Sequence, residues 1–186
     1  MSTAGAGPAG TLVVIDMQRV FRDTTVWHVP RFDQAAKAIV SLEESLATPI
    51  VYTRFVRDGD EEGSWSAYYD RWPDTRLPAE APEWDFVSEL PQGARVIDAP
   101  TFSKWGPELA SQVPIGQRMI LAGVATDCCV LSTALSAADA GRFVTVVRDA
   151  CAGATDEAHE QALALMQMLS PMCEVVSAAD LLTRAS

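Results

Sequence analysis

Apolar and polar positions alternate along the chain in blocks that can be assigned to elements one after another. The first apolar run, 11–15, is continuous and short, and Asp16 stands directly behind it. Such a run predicts a strand buried on both faces of a parallel sheet. Across 31–47 the residues Phe32, Ala35, Ala36, Ile39, Val40, Leu42 and Leu46 recur at helical spacing, and Pro49 closes the block. A crossover helix is expected there, and the β-branched and aromatic run 50–56 supplies a second strand. The same pattern predicts strands at 94–97, 118–122, 143–147 and 172–176. Helices are expected from about 107 to 113, from the 126–130 region to Ala140, at 155–169 and at 178–183. Between 57 and 93 the periodicity collapses into a long irregular connection carrying Trp65, Tyr68, Tyr69, Trp72 and Trp84.

Six strands separated mostly by helices predict an α/β fold: a doubly wound three-layer sandwich with a six-stranded parallel sheet in the order 3-2-1-4-5-6. In that order the first and fourth strands are neighbours at the switch point, where open α/β sheets bind ligands. Asp16 and Cys129 then face each other across it.

A chain of 186 residues, 48% hydrophobic and 21% charged, fits one domain over 11–186 behind a flexible tail at 1–10. The formal charge of -11 argues against nucleic acid and anionic membrane surfaces as partners and leaves small molecules. Cys128, Cys129, Cys151 and Cys173 show no CxxC or metal-ligand spacing, which suits a reducing cytoplasm. No run approaches a membrane span, and the first ten residues lack the pattern of a signal peptide. Against twelve arginines there are only two lysines, Lys37 and Lys104. Lys37 falls on a predicted amphipathic helix, whereas Lys104 lies in the turn-rich 100–107 segment and calls for a chemical reason.

The stretch Gly123-Val124-Ala125-Thr126-Asp127-Cys128-Cys129-Val130 joins the fourth strand to a helix. Unpaired amides and the helix dipole at such a turn favour a thiolate, so Cys129 is a candidate nucleophile. The competing reading is that both cysteines are small core hydrophobes. Acyl transfer to cysteine needs a proton carrier and oxyanion donors. Asp16 suits the first role, the amides of Ala125 and Cys129 suit the second, and Lys104 can hold the two charges together. Thr126 or Asp127 is expected to cap the helix.

With these residues assembled, the chain resembles the isochorismatase-like cysteine hydrolases, the superfamily of nicotinamidases and N-carbamoylsarcosine amidohydrolase. The resemblance rests on Val13-Val14-Ile15-Asp16-Met17-Gln18 with Phe21, on Phe102-Ser103-Lys104, and on the 123–130 stretch. It implies a Cys129, Asp16, Lys104 triad, a cis peptide between Val124 and Ala125, and a homodimer or higher homo-oligomer. It also implies amide, carbamoyl or ureido chemistry, since the vinyl ether branch commonly lacks the cysteine. Phe21, from its family position, and Trp65, from its loop, are the candidate pocket-wall residues. Nicotinamidases carry an Asp-x-His metal site after the second strand. Here that region reads Tyr52-Thr53-Arg54-Phe55-Val56-Arg57, and the only histidines are His28 and His159. No metal or other cofactor is therefore expected, and nicotinamide is disfavoured as the substrate. Vinyl ether hydrolysis, a thiol redox sensor using Cys128 or Cys151 as resolving partner, and an inactive scaffold remain as alternatives.

Overall fold

The computed structural model describes residues 10–185, so the predicted tail lies, apart from Gly10, outside the described residues. Strands β1 (Thr11–Ile15), β2 (Ile50–Phe55), β3 (Arg95–Ala99), β4 (Arg118–Val124), β5 (Phe143–Ala152) and β6 (Cys173–Val176) form one sheet. Every pairing is parallel and the order is β3-β2-β1-β4-β5-β6, the doubly wound α/β arrangement expected from the sequence. The helices are α1 (Arg19–Arg22), α2 (Phe32–Ser45), α3 (Ser64–Arg71), α4 (Pro107–Gln112), α5 (Leu131–Asp139), α6 (Asp156–Gln167) and α7 (Ala178–Ala185). Among the described residues no helix is long and apolar enough to cross a membrane.

The period-two geometry of strands splits each apolar run between two cores. Val13 and Ile15 of β1 pack with Leu109 of α4, Ala134 and Ala137 of α5 and Leu163 of α6. Leu12 and Val14 turn to the opposite face, where Ile39 and Leu42 of α2 and Leu181 of α7 meet them. A third cluster, containing Phe21, Phe55, Tyr69, Trp84, Val124 and Ala125, gathers apolar residues from the ends of several strands.

Two departures from the predicted elements bear on function. The 57–93 connection contains α3, whose Trp65, Tyr68 and Tyr69, with Trp72 at its C-terminal end, follow a helical i, i+3, i+4, i+7 spacing. β5 runs to Ala152 instead of ending at Val147, because a register shift between Leu121 and Gly123 of β4 lets Cys151 and Ala152 pair with Gly123 and Val124. The polar pair Arg148-Asp149 interrupts the apolar run without ending the strand.

Gly123 is the tightest point of this arrangement. Its φ is 119°, and a Cβ there would stand 2.1 Å from the Ile15 carbonyl oxygen. Gly123→Ala is expected to lower stability by about 3 kcal/mol or more, from backbone strain and overpacking together. Urea unfolding with an unchanged m-value and a lowered midpoint checks this.

Candidate active site

Asp16 follows β1 directly and takes φ 51°, a left-handed conformation that Asp tolerates better than most side chains. Its carbonyl accepts a hydrogen bond from the Gln18 amide at 2.7 Å, closing a tight turn. The carboxylate is fully buried: Oδ1 accepts from the Thr53 hydroxyl at 2.7 Å, and the Lys104 Nζ lies 3.1 Å from Oδ2. Lys104, buried as well, directs its hydrogen bond to the Thr101 carbonyl at 2.7 Å and sits 4.6 Å from the centroid of the Phe55 ring. Asp16 Oδ2 thus has an ionic neighbour and no aligned donor. The lead-in that carries Lys104 is tied to α5, since the Lys104 amide donates to Thr133 Oγ1 at 2.9 Å.

Gln18, present in the sequence motif without a role of its own, is fully buried and fastens the floor of the site. Its Nε2 donates to the Phe55 and Trp84 carbonyls at 2.8 and 2.6 Å, and its Oε1 accepts from the Phe55 amide at 2.7 Å. Thr53 is a buried partner of Asp16. Arg54 is paired with Asp98 through two hydrogen bonds of 2.9 and 2.6 Å.

The Val124–Ala125 peptide is cis, and the 126–130 segment that follows forms a π-type turn before α5 begins. Neither Thr126 nor Asp127 caps this turn with its side chain. Both are engaged by the β5–α6 loop and α6: Thr126 Oγ1 lies 2.8 Å from His159 Nδ1, and Asp127 Oδ1 accepts from the Ala154 amide at 2.9 Å. The Ala125 carbonyl accepts from the Cys128 and Val130 amides at 3.1 Å each.

Cys129 is buried and Cys128 half-buried. The hydrogen bond between them pushes the Cys129 thiol well above its ordinary range. Burial and the Asp16 carboxylate add to this, and Lys104 opposes it. The same bond lowers Cys128, against burial. The helix start alone favours a thiolate at Cys129, whereas the neighbouring thiol, burial and the Asp16 carboxylate act against it.

A cavity of about 340 Å³ reaches both cysteines and Ala125. Its aromatic wall is Phe21, Trp27, Phe55, Tyr68, Trp72 and Phe102. Phe21 stands where the sequence reading puts it. Trp65 does not line this cavity; it packs against Phe102 with ring centroids 4.8 Å apart, and Tyr68 of α3 and Trp72 just after it reach the cavity instead. Trp27 stacks on Phe21 at 6.2 Å with an interplanar angle of 13°. Burial and the charges of the two cysteines push the Tyr68 hydroxyl up to about 12, so it stays a neutral phenol. Trp27, Tyr68 and Trp72 were not singled out from the sequence as wall residues, although the helical spacing of the last two was visible there.

Fold and site place the chain among doubly wound α/β proteins that carry a cysteine at the switch point. The isochorismatase domain model matches residues 11–180, and the chain belongs to this family of hydrolases. The secreted isochorismatase effector Isc1 of Phytophthora sojae (strain P6497) is 30% identical over 159 residues, which make up 83% of this chain and 67% of that protein. Isochorismatase domain-containing protein 2B of Mus musculus is 28% identical over 84% of this chain and 64% of its own length. The chain thus spans about two thirds of the length of these curated relatives. Among solved structures, a cysteine hydrolase from Pseudomonas syringae pv. phaseolicola 1448A superposes with TM-score 0.81 at 19% identity, covering 96% of this chain and 93% of that one. A pyrazinamidase of Pyrococcus horikoshii in complex with zinc gives TM-score 0.69 at 27% identity, over 91% and 99%.

The residues at the end of β2 and just after it do not fit a zinc ion. Arg54 and Arg57 stand there as cations already paired with Asp98 and Glu61, and a guanidinium is not a metal ligand. Among the described residues no group of three or more His, Cys, Asp or Glu side chains converges as a metal site would require.

Proposed function

We propose that the protein cleaves the C–N bond of a small amide, carbamoyl or ureido substrate through a thioester on Cys129. The observation that carries this reading is the buried Asp16–Lys104 pair, whose Oδ2 is charged, desolvated and without an aligned donor. In this reading Asp16 takes the Cys129 proton as the sulfur attacks the carbonyl carbon, and the amides of Ala125 and Cys129 receive the developing oxyanion. Asp16 then gives that proton to the nitrogen as the C–N bond breaks and the amine leaves. Water attacks the thioester, Asp16 accepts its proton, and the acid departs as the thiol is restored. Lys104 holds the Asp16 carboxylate in place through the cycle, a duty that suits a buried, compact ammonium.

Acid-quenching the enzyme during turnover of small amides and weighing the intact protein tests this. The expected result is an added acyl mass, localised to Cys129 by peptide mapping and absent from Cys129→Ser. Turnover with no such adduct, and with full activity in Cys129→Ser, would discard the thioester.

A further inference from the structure

We propose that the cavity selects a substrate whose non-reacting end is a positively charged amine, held by aromatic walls and the Asp127 carboxylate. This rests on the hydrolase reading above and adds the charge of the substrate to it. Six aromatic side chains line a single cavity of about 340 Å³, and among its lining residues Asp127 is the one carboxylate, with no arginine or lysine. Aromatic faces attract cations through their quadrupole, and a desolvated site strengthens that attraction. Lys104 does not offset this, because it is paired with Asp16, bonded to Thr101 and not part of the lining.

The polar groups of the wall point to the same sign. His28 lines the cavity, and its Nδ1 lies 2.9 Å from the Arg22 carbonyl and 3.1 Å from that of Asp23. Carbonyls only accept, so Nδ1 carries the hydrogen, and this donor is spent on the protein's own backbone. Asp127 spends Oδ1 on the Ala154 amide, which fixes the carboxylate in place without neutralising its charge. A substrate carboxylate would find only neutral donors here, such as the unpartnered Trp27 Nε1, and no cation, whereas an ammonium group meets the Asp127 carboxylate and π faces. The chain's net charge of -11 adds a field that draws cations and repels anions.

Three amides of matched size test the proposal: trimethylglycinamide, its uncharged carbon isostere tert-butylacetamide, and the carboxylate-bearing succinamate. The cationic amide is expected to show kcat/KM at least about tenfold above the neutral isostere, with succinamate lowest. Asp127→Asn keeps an oxygen for the Ala154 amide and removes the charge, so it should bring the cationic and neutral amides to within a few-fold of each other. Equal or better turnover of the neutral isostere by wild type, or an unchanged cation preference in Asp127→Asn, overturns the proposal. Binding of the same three compounds to Cys129→Ser, followed by the fluorescence of Trp27 and Trp72, separates the two ideas. A cation, neutral, anion order in affinity without any turnover keeps the charge selection and removes the hydrolase reading. Affinities with no such order remove the charge selection whatever the turnover.

Discussion

Cys129→Ala is expected to abolish hydrolysis, lowering kcat/KM by about 10³-fold or more while leaving the fold in place. The side chain sits in the core beside Val130 and Ala134, so losing its sulfur costs only about 1–2 kcal/mol of stability, well within what a domain of this size tolerates. A loss of activity much larger than the loss of stability is therefore the signature of a nucleophile. Cys128→Ala is the informative control. Cys128 raises the Cys129 thiol through the bond they share, so its removal should move the alkylation profile of Cys129 to lower pH, with turnover retained within about tenfold. Intact-mass measurement of iodoacetamide labelling across pH reads this shift directly. Labelling of Cys129 at an unchanged pH in Cys128→Ala would show that burial and Asp16, not the neighbouring thiol, set its reactivity.

The topology was legible because each strand is a short apolar run closed by a turn signal, and a parallel sheet buried on both faces has few other ways to be written. Asp16 stood out as a carboxylate at the end of such a run, and Lys104 as a lysine in a chain that otherwise uses arginine. The electrostatics of the site were less visible. A helix-start argument counts only the turn's own amides, whereas the balance at Cys129 also includes the bond to Cys128, burial, and the charges of Asp16 and Lys104, which lie far off along the chain. Of the two pocket-wall residues, Phe21 lines the cavity and Trp65 does not. Reading 57–93 as irregular made Trp65 a loop aromatic, whereas these aromatics share one face of α3 and its C-terminal end, and the packing of Trp65 against Phe102 decides that Tyr68 and Trp72 meet the cavity. The extension of β5 depends on a register shift in β4, a pairing effect with no local mark beyond Gly123.

Lys104→Met is expected to destabilise the protein by about 3–5 kcal/mol and to remove activity, because it leaves the Asp16 carboxylate buried without its cation. The methionine fills most of the lysine's volume, so the penalty reports charge more than packing. Thr53 Oγ1 still donates to Oδ1, yet one neutral hydrogen bond does not replace an ammonium 3.1 Å away. Adding Asp16→Asn removes the stranded charge, and the double variant should regain much of the lost stability, since replacing a buried ion pair by neutral groups is often close to neutral overall. Activity should not return, because the amide cannot carry the proton. Urea unfolding of wild type, the two single variants and the double variant forms a cycle in which the coupling energy is read directly. Recovered stability with activity still lost would mean that the pair is kept for chemistry. A double variant as unstable as Lys104→Met would mean that the ammonium holds the 100–106 turn through Thr101, and Lys104 would then be a structural residue that happens to lie beside Asp16.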